Sequence, residues 1–445
     1  MLGSHQKKLL LFTLGLFIGV QVCLSACLPQ QAAAQCDACC DSLFDAPDCG
    51  SSCWERSTLS GDWCGLRSCF EEKGYTWNIS NTNFYSDITS GGLDETSRYR
   101  GRVDMFLSID GKTVGLWDGL TINLHGESVF GSSINQYSGT LLPVSVAQIL
   151  PDGNRSVTAL TNVTFTQALS ESVLVQAGKI NTLDGFVQPF TGGANGQDGF
   201  QNLALCFNPV LVTAFPYSSF GAGMVVLDEN QEAVFSAFVY DANNTPTVSG
   251  FDTFFDNGVS LFASATLPTK LMNKPGHQMV YGLYSSGTYN NLDPNPYFDP
   301  GQGVVLANPD KKGSWLLAYA FDQALYVSPD DPTRSWGVFG NAGIADDNPN
   351  PFNWAANIGV GGSNPIGNRP QDTFGIGYFY AGVSEPLKQL APVLLPLQDE
   401  QGVEMFYNVG VTPWCHVTAD LQVVEPARSR VDTMVMFGLR AKFDL

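Results

Sequence analysis

The sequence predicts an all-β fold, a transmembrane antiparallel β-barrel of about 16 strands preceded by a short N-terminal helix and a Cys-rich stub. Three observations predict it. Polar and apolar residues alternate through much of the 445-residue chain, no long apolar run follows the N-terminus, and 12% of residues are aromatic while only 14% are charged. A helical membrane protein would need several apolar runs of about 18 residues or more. The chain beyond its start must therefore be soluble or cross a membrane as strands.

Residues 1–34 are predicted to be an export signal. Two lysines form its positively charged start, residues 9–22 form its apolar region, and residues 32–34 offer a small-residue cleavage site. The alternative is that the sequence Leu-Ser-Ala-Cys ending at Cys27 is a lipidation site. Either interpretation places the mature protein outside the cytoplasm.

Residues 35–60 are predicted to form a short irregular stub rich in cysteine. Disulfides are the expected state of cysteines in an exported protein. Ligation of zinc by thiolates is the alternative, although the spacing matches no common zinc motif. Residues 36–69 contain seven cysteines, an odd number, so one thiol must pair with Cys206 or Cys415, pair between chains or stay free. The predicted disulfide cysteines are Cys36, Cys39, Cys40, Cys49, Cys53, Cys64 and Cys69.

A short periplasmic helix is predicted within residues 61–74. Asp62 can cap this helix, Leu66 and Phe70 fall on one face, and Gly74 can end it. The hydrophobic period then changes to two, and we predict that residues 75–445 form the barrel domain.

The period is clearest in residues 98–110. Even positions carry three arginines and two aspartates with a single aromatic interruption, and odd positions carry Tyr, Gly, Val, Met, Leu and Ile. Successive side chains of a strand point to opposite sides, so this strand has one polar and one apolar face. Residues 120–127, 417–423 and 431–445 repeat the pattern.

Alternation of this kind also fits a soluble β-sandwich, for example a secreted glycan-binding protein. Ionised groups in runs on the polar faces and aromatic residues on the apolar faces favour a barrel that faces lipid outside and water inside. The last strand ends on an apolar residue, as those of outer-membrane barrels commonly do. A tight hairpin turn is predicted at 228–230, and longer outer loops are predicted at 191–199, 293–303 and 346–370.

Four segments resemble the motifs of the carbohydrate-selective porin (OprB) family. The resemblance covers roughly residues 55–445 and implies a barrel of about 16 strands in the outer membrane of a Gram-negative-type bacterium, through which glucose and related sugars pass passively. Cys64 departs from the small residue expected in the first motif. The four segments are Leu59-Ser60-Gly61-Asp62-Trp63-Cys64-Gly65-Leu66-Arg67, Gly178-Lys179-Ile180, a segment from Trp336 to Gly377, and a segment from Glu404 to Gln422.

The candidate pore-constriction residues lie on the polar faces of the first predicted strands. A guanidinium offers five donors and a carboxylate accepts hydroxyls, which suits weak binding of a sugar. The family resemblance likewise implies an Arg/carboxylate constriction. The alternative is that these charges pair with one another in the barrel wall and do not touch sugar. The candidates are Arg98, Arg100, Arg102, Asp104, Asn123, His125 and Glu127.

Composition and motifs also exclude other functions. A net charge of −20 argues against nucleic-acid binding. His125 with Glu127 could form part of a proton relay, but no nucleophile motif, phosphate loop or metal-ligand set accompanies them, so neither an enzyme nor a cofactor is expected. The expected partners are outer-membrane lipid and small sugars, in a monomer or a homo-oligomer such as a trimer. The alternative function is a structural or adhesive barrel cross-linked through its Cys-rich stub.

Overall fold

The structure is a computed structural model that describes residues 52–63, 65–186, 188–293, 296–301, 303–365, 369–390 and 395–445. Its helices are α1 (Leu66–Glu72), α2 (Leu203–Cys206) and α3 (Glu385–Leu390). Its strands are β1 (Tyr75–Ser90), β2 (Ser97–Asp110), β3 (Leu120–Gly131), β4 (Val157–Ser170), β5 (Val173–Asn181), β6 (Ser218–Leu227), β7 (Ala233–Asp241), β8 (Val259–Leu271), β9 (Lys274–Asn290), β10 (Pro296–Asp299), β11 (Gly303–Leu306), β12 (Asp310–Val327), β13 (Ser335–Ala345), β14 (Phe352–Ser363), β15 (Thr373–Val383), β16 (Glu400–Thr412), β17 (Cys415–Glu425) and β18 (Met434–Asp444).

Sixteen of these strands form one closed antiparallel barrel, and β10 and β11 form a separate hairpin. Each barrel strand pairs with its neighbours in sequence, and β1 pairs with β18 to close the cylinder. Closure gives every strand two hydrogen-bonded neighbours, which a strand surrounded by lipid requires. The predicted fold class is therefore confirmed. No helix among the described residues has the length and apolar character needed to span a bilayer.

Side chains alternate between the lumen and the exterior, as the sequence period predicts. In β18 the outward Phe437 is 52% exposed, whereas the inward Met436 and Arg440 are buried. In β12 the outward Trp315 and Leu317 are likewise exposed. These outward side chains form an apolar band around the barrel, as contact with hydrocarbon requires.

The two ends of the barrel differ in loop length. Helix α1 and the end of β18 lie at the end that carries short connections, such as residues 171–172 and 272–273. The opposite end carries the long loops 132–156, 182–217, 242–258 and 291–309. Outer-membrane barrels have short periplasmic turns and longer extracellular loops. We therefore call the two ends the periplasmic end and the outer end.

The predicted hairpin at 228–230 is present, and Asp228 Oδ1 accepts hydrogen bonds from the backbone N–H groups of Asn230 and Glu232, both at 2.9 Å. Segment 191–199 lies in an outer-end loop as predicted, and so do the described residues of segment 293–303, which include β10 and the first residue of β11. The prediction of one loop over 346–370 is wrong, because β14 runs through it. Its glycines serve packing in the lumen: a Cβ on Gly361 would lie 2.2 Å from the backbone oxygen of Phe190.

The N-terminal segment is fixed to the last strand. Helix α1 is shorter than predicted, and Asp62 Oδ1 accepts a hydrogen bond from Ser68 N (2.8 Å) in its first turn. Arg67 Nη2 donates to the backbone oxygen of Leu445 (2.8 Å), and Leu59 N donates to that of Asp444 (2.7 Å). These contacts join the start of the described chain to the strand that closes the barrel.

The structure describes two of the seven predicted disulfide cysteines, Cys53 and Cys69. Cys69 is disulfide-bonded. Cys53 carries a free thiol, so the disulfide prediction is wrong there. Its backbone oxygen accepts a hydrogen bond from Trp414 Nε1 (2.6 Å), so the main chain and not the sulfur attaches this residue to the barrel. The predicted export signal and five of the predicted disulfide cysteines lie outside the described residues, namely Cys36, Cys39, Cys40, Cys49 and Cys64.

Two long outer-end loops fold into the barrel. We call residues 132–156 loop A and residues 182–217 loop B. Loop B places Phe200 in edge contact with Phe339 and Phe406, at ring-centroid distances of 5.5 and 4.9 Å, and all three are buried. Loop A adds Leu142 and Val146 to the same apolar cluster. The lumen is therefore filled beside β13–β18, and a cavity remains along those parts of β1–β9 and β12 that the loops do not cover.

Candidate functional site: the lumen cavity

The open part of the lumen is a cavity of about 950 Å³. Strands β1–β9 and β12 line it, together with the first and last residues of loop B. Small-molecule sites in proteins measure about 300–1,000 Å³. The cavity therefore has room for a small solute with water around it.

One wall of the lumen cavity is rich in amides. Asn123, Asn162, Gln176 and Asn181 line it from strands β3, β4 and β5. Asn162 Nδ2 donates to the backbone oxygen of Asn123 (3.2 Å), and Asn162 Oδ1 accepts from Asn181 N (3.1 Å). Amides both donate and accept hydrogen bonds, so this wall can replace water around neutral hydroxyl groups.

Strands β7 and β8 give a second part of the cavity wall an aromatic surface. The rings of Phe238 and Tyr240 stack along β7 at 5.5 Å, nearly parallel at 5°. Phe215 of loop B lies 5.9 Å from Tyr240 and 5.2 Å from Phe262 of β8. Aromatic faces offer a flat apolar surface beside the amides, from which β6 separates them.

A charged cluster lies where loop B leaves the wall. His125 Nδ1 contacts Asp184 Oδ1 at 2.9 Å, and its Nε2 contacts Asp104 Oδ1 at 3.1 Å. The imidazole also stacks on Phe106, with ring centroids 3.9 Å apart. Desolvation raises the pKa of Asp184, although its hydrogen bond with His125 opposes the rise. His125 thus connects the wall to the first residues of loop B.

A second charged cluster lies toward the periplasmic end. His277 Nδ1 contacts Asp322 Oδ1 at 3.0 Å and its Nε2 contacts Glu232 Oε2 at 3.2 Å. All three residues line the lumen cavity. Two carboxylates beside one imidazole give the periplasmic end of the lumen cavity an acidic character.

Three of the predicted constriction residues form a buried ion network. Arg102 Nη2 donates to Asp104 Oδ1 (2.6 Å) and also to Glu127 Oε1. Each of the three is at most 1% exposed. Arg102 Nη1 also donates to the backbone oxygens of Ala147 (3.4 Å) and Leu150 (3.3 Å). The network therefore fixes loop A to the wall, and the loop covers it.

Arg100 has the same role nearer the outer end. It is 1% exposed, and its guanidinium donates to four backbone oxygens at 2.9–3.2 Å. One of these belongs to Gly131 at the end of β3 and the other three belong to residues 153–155 of loop A. Arg98 is half-buried, stacks over Tyr137 of loop A at 4.0 Å and donates to the backbone oxygen of Ser97 (2.8 Å).

The seven predicted residues therefore divide by height along their strands. Asn123 lines the lumen cavity. His125 lies behind Phe106 and reaches the cavity through Asp184. The remaining five lie closer to the outer end, where loop A covers the wall, so the structure places them between wall and loop: Arg98, Arg100, Arg102, Asp104 and Glu127.

The sequence interpretation missed a matching set of contacts on β16 and β18, which lie beyond β1 from the arginines of β2. Glu404 accepts hydrogen bonds from Gln201 N (2.6 Å) and Asn202 N (2.9 Å) of loop B. Arg440 Nη1 donates to the backbone oxygens of Gly196 (3.0 Å) and Gly199 (2.9 Å). The sequence contained a signal for these contacts, because Glu404 begins the fourth family motif and Arg440 is a cation on a predicted inward face.

Glu400 holds loop A to the wall in the same way, through hydrogen bonds to its backbone. Its carboxylate accepts from the backbone N–H groups of Leu141 (2.8 Å), Leu142 (2.9 Å) and Ala427 (2.9 Å). Arginine and glutamate side chains of the wall thus hold both inward loops through hydrogen bonds to backbone atoms. We call Arg100, Arg102, Glu400, Glu404 and Arg440 the clamp residues.

One cluster has the composition of a metal site. The ligand atoms of Asp104, His125 and Glu127 all lie within 4.8 Å of one another. The guanidinium of Arg102 donates to both carboxylates, and both ring nitrogens of His125 already have carboxylate partners. Arg102 therefore already supplies the positive charge that these carboxylates require.

A closed barrel with an apolar exterior, a polar lumen and inward loops that narrow it defines a class of protein, the outer-membrane diffusion channels. The sequence model of one family of such channels, the carbohydrate-selective porins of the OprB family, matches residues 94–445. The chain belongs to this family.

Relatives agree with this assignment. The chain is 24% identical to Porin B of Pseudomonas aeruginosa over 425 residues, which cover 86% of this chain and 90% of Porin B. The fold is similar to the high-pH structure of OprB from Pseudomonas putida, with a TM-score of 0.75 and 20% identity over 89% of this chain and 100% of that chain. Its low-pH structure matches with a TM-score of 0.54 and 15% identity, over 88% of this chain and 99% of that chain.

The protein is thus a carbohydrate channel of the Gram-negative outer membrane. The family and the fold indicate a channel rather than an enzyme. Its exterior contacts outer-membrane lipid, and its substrates are small sugars.

Proposed function

We propose that the channel conducts monosaccharides and similar small solutes by passive diffusion, and that they bind weakly to the amide and aromatic parts of the wall of the lumen cavity. The observation that carries this proposal is that amide side chains of β3–β5 and aromatic rings of β7 and β8 line the same cavity of about 950 Å³. A sugar ring has hydroxyls at its rim and C–H groups on its faces. Amides suit the first and aromatic rings suit the second.

The proposed solute contacts do not involve Arg100 and Arg102 of the predicted constriction. The guanidinium groups of Arg100 and Arg102 already donate to loop carbonyls and carboxylates, so they have few donors left for a sugar. Asn123 remains from the predicted constriction and is joined by Asn162, Asn181, Phe238 and Tyr240. Weak contacts distributed in this way favour release as well as entry, which conduction requires.

The test is the flux of sugars of graded size into proteoliposomes, combined with block of single-channel current by glucose. Phe238→Leu with Tyr240→Leu is expected to weaken glucose block several-fold while the ion current changes little, because the rings contribute stacking and not charge. Phe235→Leu is the matched control, since Phe235 lies on the same strand but is 41% exposed on the exterior. Equal glucose block in all three proteins would contradict the proposed site.

The same measurement addresses the structural alternative. A barrel whose role is envelope architecture would show no glucose-dependent swelling of proteoliposomes. Swelling with glucose that declines sharply for larger oligosaccharides is the result expected of a monosaccharide channel.

A further inference from the structure

One long loop of the outer end turns outward, unlike loops A and B. Residues 242–258 join β7 to β8. The loop is fixed to the start of β6 because Thr245 N donates to the backbone oxygen of Ser218 (2.9 Å) and Asn244 Oδ1 accepts from Ser218 N (3.1 Å). We call residues 242–258 the outward loop.

The strand register shows which side of the barrel this loop covers. Tyr240 lines the lumen cavity and pairs with Gly221, so Gly221 also faces the lumen. Its neighbour Phe220 must then face the exterior, as must Lys179, which pairs with Phe220 across β5 and β6. The outward loop contacts both of these exterior side chains.

Lys179 is a cation on the exterior wall, yet it is only 7% exposed. Its Nζ donates to the backbone oxygen of Val248 in the outward loop at 2.6 Å. A charged group that faced hydrocarbon would be costly. The loop removes that cost by covering the side chain and supplying an acceptor.

The outward loop presents aromatic side chains on its own outer surface. Phe251 and Phe254 pack on Phe220, with ring centroids 4.8 and 5.2 Å apart. They nevertheless remain 70% and 52% exposed, and Val248 is 61% exposed. Large apolar side chains grouped in this way mark a binding surface.

We propose that the outward loop is a lipid anchor, in which Phe251 and Phe254 insert among the acyl chains of the outer leaflet near the headgroup boundary. The surface is continuous with the lipid-facing wall, because Met224 and Val239 are exposed at outward positions of β6 and β7. Outer-membrane barrels carry girdles of aromatic residues at this depth. The anchor fixes the height of β5–β8 in the membrane.

The test places a photo-crosslinking analogue, p-benzoylphenylalanine, at position 251 of the full chain refolded into vesicles of phospholipid and lipopolysaccharide. After illumination, mass spectrometry identifies what is attached. The matched controls carry the analogue at Phe437, on the lipid-facing band, and at Phe186, which lines the lumen cavity. Adducts with acyl chains are expected at 251 in a yield close to that at 437 and several-fold above that at 186.

Two results would overturn the proposal. An adduct between two copies of the chain at 251 would make the patch an oligomer interface. A lipid yield at 251 no higher than at 186 would place the loop in water. If the protein with the analogue at 251 does not refold, position 254 provides the same comparison.

Discussion

The clearest test of the clamp residues is Arg102→Ala. In the structure Arg102 neutralises two buried carboxylates, those of Asp104 and Glu127, and donates to two backbone oxygens of loop A. Removal of one partner from a buried ion pair costs about 3–5 kcal/mol, because it leaves an unpaired charge in a dry site. We therefore expect a loss of about 3–5 kcal/mol in the free energy of unfolding.

The same substitution should widen the channel. Loop A fills part of the lumen, and it would lose an attachment at residues 147 and 150. We expect single-channel conductance and the size limit for sugars to rise, with a larger effect in Arg102→Ala than in Arg102→Lys, which keeps the charge but loses the planar fork. Arg98→Ala is the control, because a half-exposed arginine stacked on a tyrosine contributes about 0.5–1 kcal/mol.

Denaturant unfolding from lipid vesicles, followed by tryptophan fluorescence, measures the first effect, and planar-bilayer recording measures the second. If Arg102 contacted the solute directly, its loss would weaken sugar block and leave stability nearly unchanged. That pair of results would refute the assignment of Arg102 to the loop clamp.

Further predictions concern the other clamps and the turns. Glu404→Gln should raise conductance and lower the free energy of unfolding by about 1–3 kcal/mol, because the amide keeps one acceptor oxygen where the carboxyl group offers one to each of the two loop N–H groups; unchanged conductance would contradict a holding role. Gly178→Ala should destabilise the barrel by roughly 1–3 kcal/mol through its φ of +139° alone, and more because the new Cβ would lie 2.2 Å from the backbone oxygen of Val163; Gly282→Ala, whose Cβ would meet nothing nearer than 3.4 Å, is the control in the same unfolding assay. Burial acts to raise the pKa of Asp372, but hydrogen bonds from Arg369, Tyr407 and Gly410 N outweigh it and lower this pKa below its ordinary value of 3.8. Asp372 therefore stabilises the fold at pH values above 3.8, and this contribution is lost as the pH falls below that value. The stability difference between the native protein and Asp372→Asn should then be constant above about pH 5 and shrink below about pH 4, and a difference that persists undiminished to about pH 2 would be inconsistent with this. Burial raises the pKa of the Cys206 thiol well above its ordinary value, so iodoacetamide should alkylate Cys53 in the folded protein and Cys206 only after unfolding, as read by peptide mass spectrometry.

The fold was predictable because lipid imposes a simple rule on every strand. Apolar and polar side chains must alternate along an extended segment that lies between lipid and water. Residues 98–110 and 431–445 show this period of two in the sequence. Residues 352–363 were not predicted as a strand, because their glycines and asparagines are typical of loops. There the chain is a strand whose inward positions must stay small to admit Phe190 and Phe339.

The candidate site was predictable only in part, for a different physical reason. The parity of a strand position gives the face of a side chain but not what lies opposite that face. Arg102 and Asn123 both point inward, yet loop A covers the first and the cavity borders the second. Only the return of loops A and B decides this, through contacts between residues distant in sequence, such as Glu404 with Gln201.

The clamp residues hold main-chain atoms: carbonyl oxygens for Arg100, Arg102 and Arg440, and N–H groups for Glu400 and Glu404. Every amino acid except proline supplies both groups, so a loop substitution that keeps the path of the backbone leaves the attachment points in place. A lineage can thus change the chemistry of its pore by altering loop side chains, while the path of the backbone through the barrel is inherited unchanged.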